Sequence, residues 1–177
     1  GLKPSQRQDA KKLKLPPYYP DTPIVREDWK RNYELITAMD AWAGDLIKQL
    51  KADGIYENTV IIFWSDHGVG LPRAKRWLYD SGTRVPLIVR QPGGKVGVSD
   101  RLVSSIDFGP TALKLAGIKI PNHMQGRSFI HGQPRDYVYG ARDRMDERYD
   151  MVRSVRDKRY RYIRNYEPLK TYYQYMN

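Results

Sequence analysis

Residues 59–64 read Thr-Val-Ile-Ile-Phe-Trp, and the next four are Ser65-Asp66-His67-Gly68. A continuous β-branched and aromatic run of this length is the pattern of a strand covered on both faces. Strands of that kind belong to sheets layered with helices, and such sheets are mainly parallel. The segment therefore predicts an α/β architecture. It also puts a polar turn at the carboxyl end of a buried strand, where open α/β sheets place their ligands. A second run, VPLIV at 85–89, predicts another covered strand and is stopped by QPGGK. Leu102 to Ile106 reads as a short third strand.

The helices frame these strands. Residues 1–22 are basic and proline-bearing, and Pro16, Pro17 and Pro20 argue against helix, so this stretch reads as an irregular lead segment. Asp21 or Thr22 can cap a helix whose first turn accepts Pro23. That helix should run from about Pro23 to Lys51 and end at Gly54. Val25, Trp29, Ile36, Met39, Ala43, Leu46, Ile47 and Leu50 recur at helical spacing and predict one buried face. Asp107 is placed to cap a helix over Phe108–Ala116, closed by Gly117. From Pro134 onward, short alternating runs separated by charged turns predict two or three antiparallel strands.

Composition excludes several classes. Hydrophobic residues are 40% and aromatics 12%, too many for a disordered chain. The longest apolar run, Val60 to Trp64, is far short of the roughly 20 residues a membrane helix needs. There is no cysteine, which removes disulfides, Cys-ligated zinc and a thiol nucleophile. The net charge of +11 is compatible with nucleic acid, anionic lipid or acidic polysaccharide. Between Arg135 and Lys170, however, 11 basic residues alternate with 7 acidic ones, so no broad single-sign stripe marks a nucleic-acid face. Nucleic acid and membrane are accordingly not the expected partners.

The strongest candidate for chemistry is Asp66-His67. An aspartate oxygen and a histidine nitrogen at a strand end can serve a divalent metal, and Gly68 allows the backbone to turn away. The same residues also suit an ordinary loop turn. Lys75 and Arg76 follow in LPRAKRWLYDSGTRVPLIV. A lysine beside a metal suits a tetrahedral oxyanion, while the bland alternative is a solvated basic loop. Arg142 and Arg144, in ARDRMDE, could grip a sulfate or carboxylate, or form a charged connection between strands. His123 and His131 read as surface histidines.

Taken together, ENTVIIFWSDHG, KRWLYDSGTRVPLIVR, VSSIDFGPTALKLAGIKIP with MQGRSF, and YDMVRSVRDKRYRYIRNYEP resemble the sulfatase family of the alkaline-phosphatase superfamily. Met39-Asp40 and Gly44-Asp45-Leu46 on the approach helix are similar too. Within the family the likeness is greatest to bacterial enzymes related to heparan N-sulfatases and glycosaminoglycan sulfatases. The resemblance implies the C-terminal part of an alkaline-phosphatase-like, mainly parallel α/β domain over 23–125. A small antiparallel α+β subdomain would follow over 126–177. It implies that Asp66 and His67 contribute to a divalent metal site, calcium being expected and manganese the alternative, since many members carry Asn where this chain has His67. Lys75 would contact the sulfate group, and Arg76, Arg142 and Arg144 would help bind a sulfated carbohydrate. It also implies a periplasmic or secreted location.

One departure is chemical. The family's nucleophile is a formylglycine made from the first residue of a C/S-x-P-x-R motif, and no serine here begins such a motif. That nucleophile, with the first metal-binding aspartates, is expected in an N-terminal half or a second chain. This chain alone is therefore expected to be inactive. A phosphonate or phosphate-diester hydrolase of the same superfamily fits Ser-Asp-His-Gly as well, and a non-catalytic polyanion-binding module fits the charge.

Overall fold

The computed structural model describes residues 2–145 and 148–170. The chain divides into two compact units, Gly1–Ile61 with Val89–Gly94, and Ile62–Ile88 with Lys95–Asn177.

The first unit is organised by α1 (Pro23–Ala52). Thr22, not Asp21, is the cap, its hydroxyl accepting from the Val25 N–H. Asp21 pairs with Arg26 instead, at 2.5 Å. The helix ends as expected at Gly54, whose φ is +71°. There the Ile55 N–H reaches the Leu50 carbonyl and the Gly54 N–H reaches that of Lys51, the paired bonds of a glycine-terminated helix. Arg26 also donates to the carbonyls of Ala10 (2.7 Å) and Leu13 (3.1 Å), which ties the irregular lead segment to the helix. The predicted buried face is not closed. Trp29 alone is buried, with Tyr19 packed edge-on at 5.4 Å. Ile36, Met39 and Leu46 are exposed, as are Leu35 and Trp42, the last at 64%. The periodicity is present, and Val25, Ala43, Ile47 and Leu50 are half-buried, but the described residues leave the middle of the stripe uncovered.

Strands β1 (Ile61–Trp64) and β2 (Leu87–Arg90) pair in a two-stranded sheet. Both are shorter at their start than the apolar runs suggested. Thr59 is held in the preceding turn, its hydroxyl donating to the Ile55 carbonyl at 2.8 Å. Pro86 has no N–H to give a ladder, so β2 begins after it. Trp64 and Ile88 are exposed, Ile88 at 64%, so the expected cover on both faces is not completed by these residues.

In the second unit, the expected strand over Leu102–Ile106 does not form. Ser104 and Ser105 enter a 3-10 turn over Ser105–Asp107, because the Asp107 carboxylate captures the Ser104 N–H at 3.0 Å. Such a local side-chain bond competes directly with a sheet ladder. Asp107 consequently does not cap α3 (Phe108–Leu115) with its side chain. That helix ends at Gly117, φ +71°, with the same paired bonds as α1.

The C-terminal segment forms the expected antiparallel sheet of three strands, in the order β3 (Val138–Met145), β4 (Arg148–Arg156), β5 (Arg161–Asn165). Val138 pairs with Arg156 and Arg156 with Arg161, and a bulge in β4 sets Asp150 and Met151 opposite Asp143. One face of this sheet, bearing Gly140, Arg142, Arg156 and Arg161, meets the 76–80 segment. Asp80, at the start of α2 (Asp80–Thr83), accepts from Arg156 at 2.7 Å and from Arg161 at 2.9 Å. Arg161 also donates to the Leu78 carbonyl at 2.6 Å. Gly140 gives the Leu78 side chain room, since a Cβ there would sit 3.2 Å from it.

Candidate functional site

Ser65–Gly68 emerges from β1 with its strand end held by aromatic packing. Trp64 stacks on Phe108 at 4.9 Å, and Phe108 meets Phe129 edge-on at 5.4 Å. The turn is closed internally by the Ser65 hydroxyl, which donates to the His67 carbonyl at 2.6 Å. His67 Nδ1 lies 2.7 Å from the Gly68 carbonyl oxygen. A carbonyl can only accept, so the neutral ring carries its proton on Nδ1 and leaves Nε2 with a lone pair. Nε2 faces Asp66 Oδ1 at 3.5 Å. The two side chains that the sequence nominated are thus brought together, both accessible to solvent.

The Lys75 loop is stitched to this turn through the backbone. The Gly68 N–H donates to the Gly82 carbonyl at 3.1 Å, and the Lys75 N–H donates to the Val69 carbonyl at 3.0 Å. Two glycines make that approach feasible. A Cβ on Gly68 would overlap the Ser81 carbonyl oxygen, and one on Gly82 would overlap the carbonyl oxygens of Ala74 and Trp77. Ala74 is buried to 1% as the plug of the loop, and the Ser81 hydroxyl bonds the Arg73 carbonyl at 2.5 Å. Arg73 and Arg76 hold positive φ angles of 62° and 75°, a conformation side-chain-bearing residues seldom adopt away from constrained sites. Trp77 and Tyr79 stack at 5.2 Å, and the Arg73 guanidinium lies 4.6 Å from the Tyr79 ring.

The arginine candidates separate. Arg144 is exposed near the end of β3, and Arg76 is half-buried on the loop. Arg142 is withdrawn, with its side chain 8% exposed and bonded to Asp150. His123 and His131 are exposed.

Sequence reading passed over Asp80 and Asp150, which organise this region, and gave Asp107 only a helix-capping role. Asp80 anchors the loop's end to the C-terminal sheet, and Asp150 partners Arg142. Asp107 receives four donors: Ser104 N, Arg127 N, and Arg135 through Nε and Nη2. Burial by itself would raise the Asp107 carboxyl, but Arg135 and the two backbone donors outweigh it and hold its pKa below the ordinary carboxylate value. An acidic residue inside an otherwise apolar stretch, as in SSIDFGP, was the available signal.

Comparison with known proteins agrees with the α/β fold. The sulfatase family matches residues 6–118, and the C-terminal region of N-sulphoglucosamine sulphohydrolase matches residues 73–176. The chain belongs to the sulfatase family. It is similar to an ulvan-active sulfatase of Formosa agariphila, with 44% identity over 92% of this chain and 28% of the relative. It is also similar to the N-sulphoglucosamine sulphohydrolase of Homo sapiens, with 28% identity over 90% of this chain and 35% of the relative. Among solved structures, that of BT4656 in complex with its substrate D-glucosamine-2-N,6-O-disulfate matches with a TM-score of 0.64 and 26% identity, over 81% of this chain and 33% of that one. The chain thus spans about a third or less of the length of the curated relatives named here.

Sulfatases generally use a metal ion and a formylglycine. The residues at the turn fit a metal in kind. An Nε2 lone pair and a carboxylate oxygen face one another at 3.5 Å, about the separation of two neighbouring ligands on one divalent ion. The Nδ1–H bond to a carbonyl is the support that metal-binding histidines use to fix their tautomer. Among the described residues, no group of three or more His, Cys, Asp or Glu is assembled for a metal. Among the described residues the turn brings together two candidate side-chain ligands, fewer than the six to eight oxygens calcium takes. No helix of the described residues is long and apolar enough to cross a membrane.

Proposed function

We propose that this chain forms one wall of the active site of a sulfatase that removes sulfate from a sulfated sugar, as an ester or a sulfamate. The carrying observation is the backbone bond from Lys75 to Val69, which joins the lysine loop to the Asp66-His67 turn. Asp66 Oδ1 and His67 Nε2 would hold the divalent metal, calcium for preference. When bound, it would act as a Lewis acid on sulfate oxygens. Lys75 would place its ammonium against the sulfate group and offset the charge that accumulates as the S–O or S–N bond breaks. Arg76 and Arg144 would orient the sugar by pairing with a second sulfate or a uronate carboxylate. Residues 23–125 would belong to the catalytic α/β domain and 126–177 to a subdomain leaning on the site. The nucleophile and the remaining metal ligands would come from chain N-terminal to this one or from a second chain, in a periplasmic or secreted enzyme.

The test is hydrolysis of matched sulfate and phosphonate esters by the full-length enzyme that carries this segment, beside its Asp66→Ala and Lys75→Ala variants. Faster sulfate hydrolysis, depressed at least 100-fold in both variants, is expected; loss of one positioned electrostatic group costs on the order of 10²–10³. Preferential phosphonate hydrolysis, or variants as active as the parent, would overturn the assignment.

A further inference from the structure

Arg142 belongs to β3, yet its guanidinium reaches the loop that carries Lys75. Nη1 donates to the Arg76 carbonyl oxygen at 3.3 Å, and Nη2 donates to Asp150 Oδ2 at 2.6 Å. The guanidinium carbon lies 5.8 Å from the centre of the Trp77 ring. Asp150, on the neighbouring strand β4, is itself only 15% exposed, and its other oxygen accepts from the Met151 N–H at 2.8 Å. The carboxylate is thus fixed before it fixes the arginine. Arg76 is one of the two residues of this loop with a left-handed backbone, φ 75°, a conformation that persists only where surroundings over-determine it.

These contacts bracket Lys75. On one side its own N–H is held by the Val69 carbonyl, and on the other the carbonyl of the next residue is held by Arg142. We infer that Arg142, fixed by Asp150, is a positioning residue: it clamps the backbone of Arg76 and thereby sets where the Lys75 ammonium stands. A guanidinium whose side chain is 8% exposed is poorly disposed to grip a sugar, and its role is exerted through the loop. The inference rests on Lys75 being the sulfate-facing lysine.

The experiment is a mutant cycle in the full-length enzyme, read as kcat and KM on a small aryl sulfate and on a sulfated glucosamine. Arg142→Lys keeps the charge and shortens the reach. Asp150→Asn keeps the shape and releases the arginine, and guards against misfolding of the first variant. A displaced catalytic group costs on the order of 10- to 100-fold, so either variant should lower kcat by that factor on both substrates, with KM little changed. In a Lys75→Ala background the same substitutions should cost less than about 3-fold, because the group they position is gone. Losses that simply multiply with Lys75→Ala would refute the positioning role while leaving the role of Lys75 intact. A loss confined to KM for the sugar substrate would return Arg142 to direct substrate contact and overturn the inference. No effect of Lys75→Ala by itself would instead remove the proposed function on which it stands.

Discussion

Replacing Asp107 by Asn tests how the second unit is held together. The carboxylate is 2% exposed and its partner Arg135 is 12% exposed. Oδ1 takes the Arg127 N–H at 2.9 Å and Arg135 Nη2 at 2.5 Å, while Oδ2 takes the Ser104 N–H at 3.0 Å and Arg135 Nε at 2.8 Å. All four partners donate. An amide turns one oxygen into a donor, so two contacts become donor against donor, and the guanidinium loses its counter-charge. Hydrogen bonds to charged groups contribute about 1.5–3 kcal/mol each, and breaking a buried pair costs about 3–5 kcal/mol. These descriptions overlap, so the expected loss is about 3–4 kcal/mol, a large share of the roughly 5–15 kcal/mol a domain has. For a chain of this size that lowers Tm by roughly 6–16 °C, measured by circular dichroism at pH 7. The pH dependence has a definite sign. The folded pKa lies below the unfolded value of about 3.9, so the carboxylate's contribution is fully present above that value. It is lost as pH falls through the folded pKa, and the gap between parent and variant must narrow below about pH 4. An Asp107→Leu, Arg135→Met double variant should recover much of the loss, because no buried charge is then stranded. A fall of less than about 2 °C at pH 7, or a gap that does not narrow with acid, would refute the reasoning.

Gly68→Ala should lower stability by about 1–3 kcal/mol, as overpacking does, because its Cβ must displace the Ser81 carbonyl; a thermal melt reads it. Asp80→Ala should cost about 1–2 kcal/mol, reduced by partial exposure, since it strands Arg156 and Arg161 together; urea unfolding at constant m-value checks this. The isolated chain should release no sulfate from an aryl sulfate or a sulfated glucosamine with calcium present, since a covalent route needs a nucleophile; turnover above an Asp66→Ala, Lys75→Ala control would contradict that. Sedimentation should show self-association through the exposed apolar residues of α1 and of β1 and β2, including Trp42, Trp64 and Ile88; a clean monomer would show that they need no partner.

Local physics made much of this protein legible from its residues alone. Gly54 and Gly117 end helices because each adopts φ +71°, which glycine takes at no steric cost. The alternating C-terminal runs became three antiparallel strands, because a period of two is written in neighbouring residues. The apolar run ending in Ser-Asp-His-Gly placed a polar turn at a strand end, and Asp66 and His67, adjacent in sequence, met there. Other features were settled by contacts between distant residues. Leu102–Ile106 had strand-forming residues, but the Asp107 carboxylate, anchored by Arg135 28 positions away, drew Ser104 into a turn. Arg142 had the composition of a substrate ligand, yet folding aimed it at the Arg76 carbonyl, 66 residues distant. Asp80 found Arg156 and Arg161 across 76 and 81 residues. The α1 stripe had the right period for burial, yet only Trp29 of it is buried and Ile36, Met39 and Leu46 stay exposed. Periodicity and turn chemistry act over a few bonds and so can be read along the chain. An ion pair, or the cover over an apolar face, depends on which distant groups the fold brings within a few ångströms, and only the tertiary structure decides that.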